Sequence, residues 1–171
     1  DNQHANNIIK ANSFFVEIKS SEIPNNNFVI EGDGAVNSGV TYSTNSTGIN
    51  IVSPSTTKNN LVVLSPNKNT NESPWYNIKW GTENQLEWEC AVSIPAMMIP
   101  ARMVIWAGLK ESKSSDIETD NNQIYFLRDS LESTWKIVIS IDGVDYVSKT
   151  PVTVEVNNFI YIFRITIDSS R

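Results

Sequence analysis

The sequence predicts an all-β fold, an antiparallel two-sheet β-sandwich or jelly roll with little or no helix. Three observations predict it. Short runs in which apolar and polar residues alternate recur over most of residues 13–168, and a period of two belongs to half-buried strands. The connections are rich in Asn, Gly, Pro and Ser, as in "PNNNF" and "PNKNTNES", residues that favour turns and depress helix propensity. Helical spacing is almost absent: the best piece, "AMMIPAR", is limited to a turn by Pro95 and Pro100. No repeat of 20–50 residues is visible, which argues against a propeller or a solenoid. A chain of 171 residues fits one domain or one domain with an arm. Residues 1–25 are expected to be an N-terminal arm or linking strand, and residues 26–171 the sandwich.

The strands follow in order. "SFFVEIK" (13–19) puts Phe14, Val16 and Ile18 on one face. "FVIEGDG" is a short strand that ends in a glycine turn. "GVTYSTNSTGINIVSP" (39–54) reads as two strands broken near Ser46–Gly48, and "NLVVLSP" (60–66) and "NIKW" (77–80) as one strand each. "QLEWECAVSI" alternates throughout, with Leu86, Trp88, Cys90, Val92 and Ile94 on one face and Glu87, Glu89, Ala91 and Ser93 on the other. "RMVIWAGLK" (102–110) is apolar on both faces and is expected at the centre of a sheet. "QIYFLRD" (123–129) follows an acidic loop. "TWKIVISIDGVDYVSK" is the clearest local signal, because Asp142–Gly143 between two alternating runs favours a tight primed turn and a hairpin. "VTVEV" and "FIYIFRITID" complete the set. In the last, Phe159, Tyr161, Phe163, Ile165 and Ile167 share the core face, and Ile160 and Ile162 point away and need cover.

Residues 86–110 are the most apolar part of the chain. Glu87, Glu89, Arg102, Pro95 and Pro100 interrupt them, and the longest uncharged run is about a dozen residues, too short to span a bilayer as a helix. They are read as two core strands and their connection. The net charge of −6 and the lack of a basic stripe argue against nucleic acid. A single cysteine, Cys90, excludes an internal disulfide framework, and its phase with Leu86 and Trp88 makes it an inward-facing apolar thiol rather than a nucleophile. The single histidine, His4, leaves zinc sites and Ser-His or Cys-His triads without parts. No Gly-rich phosphate loop is present. The chain opens on Asp1 rather than Met, so it is expected to be processed or to be part of a longer product.

Three groups of residues could carry chemistry. Glu87 and Glu89, two apart on one strand face, are separated by roughly 6–7 Å, within the range of about 5–10 Å that glycoside hydrolysis uses. A glucanase-like acid-x-acid-x-acid strand would place a third acid at position 85, which holds Gln85; the pair is expected on a solvated outer face, and no catalytic residue is assigned. "DIETDNN" places Asp116, Glu118, Asp120 and Asn122 at alternate positions like the start of a calcium loop. Asn121 and Leu127 occupy the positions where a helical-hand loop needs Gly and Glu. A solvated loop is the expectation, with calcium near Asp116, Glu118 and Asp120 as the alternative and no other cofactor. Trp88 and Trp135 run in phase with aliphatic neighbours and belong to the core. Trp75, Tyr76 and Trp80, at a loop-to-strand junction, are the candidate ligand-binding residues. "NST" (45–47) and "NES" (71–73) match the N-glycosylation pattern, which matters only on a eukaryotic secretory route.

The segments "GAVNSGVTYSTNSTGINIVS", "NQLEWECAVSIP", "VIWAGLK", "NQIYFLRD", "WKIVISIDGVDYVSKT" and "FIYIFRITID" together resemble the concanavalin A-like lectin/glucanase sandwich found in structural proteins of tailed bacteriophages and other large DNA viruses. The resemblance covers residues 34–171 and is a pattern of strands rather than a catalytic signature. It implies a two-sheet jelly roll that recognises glycans or serves as an interlocking surface module. The family pattern continues past the equivalent of Asp168 into a strand with an N-G or D-G turn, where this chain has "DSSR". The expected function is that of a non-enzymatic virion structural protein in a capsid decoration, tail or fibre. Its expected partners are other virion proteins, copies of itself and cell-surface glycans, at the virion surface or outside the cell. The alternative is a free carbohydrate-binding module or a degraded glycosidase of the same fold.

Overall fold

The computed structural model describes residues 28–31, 41–45, 48–52, 62–66, 86–94, 104–110, 112, 114–130, 132, 134–153 and 159–167. The chain divides into two compact units, Asp1–Lys79 and Trp80–Arg171. In the first, β1 (Phe28–Glu31), β2 (Thr41–Asn45), β3 (Gly48–Val52) and β4 (Val63–Pro66) form two antiparallel pairs. Strands β2 and β3 make a hairpin closed by the pair Asn45 and Gly48, at the break expected from the sequence. Strand β1 pairs with β4 from Phe28 against Pro66 to Glu31 against Val63.

The second unit contains β5 (Leu86–Ser93), β6 (Ile105–Leu109), β7 (Gln123–Arg128), β8 (Thr134–Ile141), β9 (Val144–Thr153) and β10 (Ile160–Ile167). The only helical element among the described residues is the single 3₁₀ turn Ile117–Thr119. Strands β6, β7, β8 and β9 form an antiparallel sheet in chain order, and β5 pairs antiparallel with β10. The pair lies against one face of the sheet through buried Ile94, Trp135, Tyr161 and Phe163, with Trp88, Val92, Ile105, Ala107 and Phe126 packed around them. Phe126 stacks on Phe163 at 4.6 Å between ring centroids, and Trp135 meets Phe163 edge-on at 4.7 Å. Each such ring pair adds about 0.5–1.5 kcal/mol beyond the area it buries. The other face of the sheet has its own core of Tyr125, Leu127 and Val138, beneath Trp106 and Ile117. The described fold is therefore all-β and antiparallel, with two layers in its second unit.

Local chemistry accounts for the turns. Asp142 at φ 50° and Gly143 at φ 80° are both left-handed, which is the primed hairpin turn the sequence predicts. Strand β9 then follows β8 until Lys136 faces Lys149. Beyond it Thr134 faces Thr153, so Trp135 alone stands against Thr150, Pro151 and Val152. This bulge accommodates a proline, which has no N–H for a ladder, and the Thr150 hydroxyl donates to the Trp135 carbonyl at 2.9 Å. At Gly108, φ is +152° and a Cβ would fall 2.6 Å from the Ile124 carbonyl oxygen and the Tyr125 Cα. Only glycine allows β6 to approach β7 so closely.

Two expectations are corrected. Strand β6 stands at the end of the described four-stranded ladder, and β7 and β8 are central. It is half-buried on both faces because Ala107 and Ile105 meet one core and Trp106 the other. Phe159 is 52 % exposed rather than buried, since it precedes β10 and only Tyr161, Phe163 and Ile165 reach the core. The segments 13–19, 77–80 and 95–100 and the boundary at residues 25–26 lie outside the described residues.

Candidate functional site

Glu87 and Glu89 point to solvent from β5, as the alternation requires. The register sets Arg164 of β10 opposite Glu89 and Thr166 opposite Glu87. The Arg164 guanidinium donates to Glu89 Oε2 from Nε at 2.8 Å and from Nη2 at 2.6 Å, and its Nε lies 3.4 Å from Glu87 Oε1. The hydrogen bond to Glu89 and the two negative charges hold the Arg164 guanidinium more firmly protonated than usual. The two carboxylates thus form an exposed cross-strand ion triad on an open face. Nothing in "FIYIFRITID" alone names Arg164 as their partner; the antiparallel register does.

The acidic loop closes over the far face of the sheet. Its pins are the Tyr125 hydroxyl, which donates to the Ser115 carbonyl at 3.3 Å, and the Gln123 amide, which donates to the Ile117 carbonyl. Gln123 Nε2 also donates to Ser140 Oγ at 2.7 Å, and that hydroxyl donates to Asp145. The Asp120 carboxylate accepts from the Ser112 N–H at 3.0 Å. The Lys110 ammonium donates to the Asp116 carbonyl at 2.9 Å and lies 4.5 Å from the Tyr125 ring centroid, a cation–π distance. Burial lowers the Lys110 pKa, against the opposing pull of Asp120 and Asp116. The Tyr125 phenol is pushed up to about 12, first by burial and then by Asp145, Asp120 and Asp116. Among the described residues no group of three or more His, Cys, Asp or Glu side chains could hold a metal ion. Among the described residues Lys110 is a cation beside Asp116 and Asp120, which a reading of the acidic residues alone passes over.

Trp75, Tyr76, Trp80 and His4 lie outside the described residues. Cys90 faces inward from β5 as expected, and burial pushes its thiol pKa up. A cleft of about 160 Å³ opens between β9 and β10, with Val152 and Ile162 at its rim and Trp135, Tyr161, Phe163 and Phe126 below. The Trp135 Nε1–H is buried without a hydrogen-bond partner.

The remaining feature is exposed apolar surface. Ile160 and Ile162 are 63 % and 67 % exposed on the outer side of β10. Val144, Tyr146, Val147 and Val152 are exposed along β9. No helix among the described residues is long and apolar enough to cross a membrane. Comparison with protein-family models, with curated proteins and with solved structures gave no match.

Proposed function

We propose that this chain is a non-catalytic structural module of a virion, a lectin-like β-sandwich on a capsid decoration, tail or fibre, acting at the particle surface in assembly and in glycan attachment. In this reading the two packed layers belong to a concanavalin A-like jelly roll, and the partners are other virion proteins, copies of the chain and cell-surface glycans. The observation that carries it is the exposed apolar surface of β9 and β10. Strands that present Val, Ile and Tyr to water are normally paired or shielded, and exposed apolar patches mark interaction sites. The ion triad at Glu87, Glu89 and Arg164 supports the non-catalytic part, because both carboxylates are engaged by one cation on an open strand face.

Light scattering on residues 1–171 tests the assembly role, with a concentration-dependent mass above that of the 19.1 kDa chain as the expected result. A glycan array tests attachment. A monomer at every concentration that binds no glycan would overturn the proposal. Cleavage of a polysaccharide that Glu87→Gln or Glu89→Gln abolishes without unfolding would make the protein a glycosidase. The aromatic-floored cleft between β9 and β10 favours a second reading, a free carbohydrate-binding module, which a glycan-binding monomer would support.

A further inference from the structure

We propose that β9 is a self-complementary edge through which two copies of the chain join their four-stranded sheets about a twofold axis. The inference rests on the assembly reading above and names its partner, a second copy. Among the described residues β9 pairs only with β8, and Val144–Lys149 are exposed on both faces. The two-residue turn makes Ile141 and Val144 a hydrogen-bonded pair. Residues 144, 146 and 148 therefore direct their backbone groups to β8, and residues 145, 147 and 149 direct theirs outward.

Two antiparallel copies of β9 can pair only in registers that bring these outward residues together. Centred on Asp145 or on Lys149, the pairing sets like charges opposite each other, which is unfavourable. Centred midway between neighbouring outward residues, it leaves both charges without an opposite. Centred on Val147, it sets Asp145 against Lys149 of the second copy and Lys149 against Asp145 of the second copy, with the two valines meeting on the axis. Symmetry makes both charge pairs at once. Asp145 already accepts from Ser140, and Lys149 donates to Glu132 at 2.9 Å. A carboxylate and an ammonium each have capacity for a further partner. The same register lays Tyr146 beside Ser148 of the second copy and covers part of the exposed ring. Pro151 follows the pairing segment, where a missing N–H ends the ladder.

The competing role of Lys149 and Pro151 is that of edge guards, which keep other strands away. Sedimentation of the full chain and two charge variants, with oxidation of two cysteine variants, separates the two. The wild type is expected to dimerise. Lys149→Glu should weaken the dimer roughly tenfold or more, because two exposed ion pairs become two repulsions. The double exchange Asp145→Lys with Lys149→Asp restores complementarity and should restore the dimer. In a Cys90→Ser background, Val147→Cys should oxidise to a covalent dimer, because facing Cα atoms of a hydrogen-bonded pair lie about 5.5 Å apart, within disulfide reach. Tyr146→Cys should not. Circular dichroism checks that each variant folds. An oligomer whose mass ignores Lys149→Glu would overturn this edge while leaving the assembly reading in place. A wild-type monomer would overturn both this edge and self-assembly, and would make Lys149 and Pro151 guards.

Discussion

Strands β7 and β9 belong to one sheet and each carries a tyrosine beside aliphatic residues, yet the two tyrosines end in opposite environments. Tyr125 of β7 is fully buried and Tyr146 of β9 is 58 % exposed. Strand β7 lies between two strands, carries the β5–β10 pair over Phe126 and the acidic loop over Tyr125. Among the described residues β9 has one neighbouring strand, and no described layer lies above Tyr146. A tyrosine has the same hydrophobicity on either strand, and position in the sheet decides how much of it leaves water. The contrast also separates the roles: β7 holds the unit together, and β9 is available to a partner.

The largest test of the contrast is truncation. Tyr125→Ala should destabilise the fold by about 3–5 kcal/mol, the usual cost of emptying a buried aromatic site. Tyr146→Ala should stay within about 0.5 kcal/mol. Denaturant unfolding at concentrations too low for dimerisation measures both, and similar values would mean that the chain itself covers β9.

Next comes the backbone. Gly108→Ala places a Cβ against the β7 main chain at 2.6 Å and should cost about 2–4 kcal/mol, from steric overlap and a disfavoured φ together. Gly143→Ala meets only Asn121, at 3.4 Å. Its cost should be about 1–2 kcal/mol, set by the left-handed backbone alone. Thermal melts that rank the two in the opposite order would show that β6 can move away from β7.

The pH dependence sharpens the contrast further. The Tyr125 phenol titrates at about 12 in the fold and near 10 when unfolded. The folded state therefore favours the neutral form. Its stabilisation is complete below about pH 10 and is lost as the pH rises through about 12, a change of about 2–3 kcal/mol. Alkaline unfolding of Tyr125→Phe should lack that part of the slope. An unchanged slope would mean that the phenol is accessible to water.

The smallest effect is expected at the outer triad. Arg164→Ala removes exposed ion pairs and should leave the unfolding midpoint almost unchanged, the more so at high salt. A larger loss would make the β5–β10 face a structural element rather than a solvated one.

The fold class was legible because period-two alternation reports burial directly. Cys90 and Trp88 faced inward, Glu87 and Glu89 outward, and Asp142–Gly143 turned as local turn chemistry requires. The candidate site was less legible. Its key contacts join residues far apart in the chain: Arg164 with Glu89, Lys110 with Tyr125, Ser140 with Gln123. Nothing in the local pattern around Lys110 marks it as the cation of the acidic loop.

By itself the sequence determined where most of the described strands fall, where the hairpin turns, and which face of β5 seeks the core, because backbone stereochemistry and side-chain polarity act locally. Only the tertiary structure decided which strand is central and which is an edge. It placed β6 at the end of the described ladder although "VIWAGL" is apolar on both faces, and left Val144, Tyr146 and Val147 in water. Edge and centre depend on how many neighbours a strand acquires, a property of the assembled sheet that no single strand carries in its own residues.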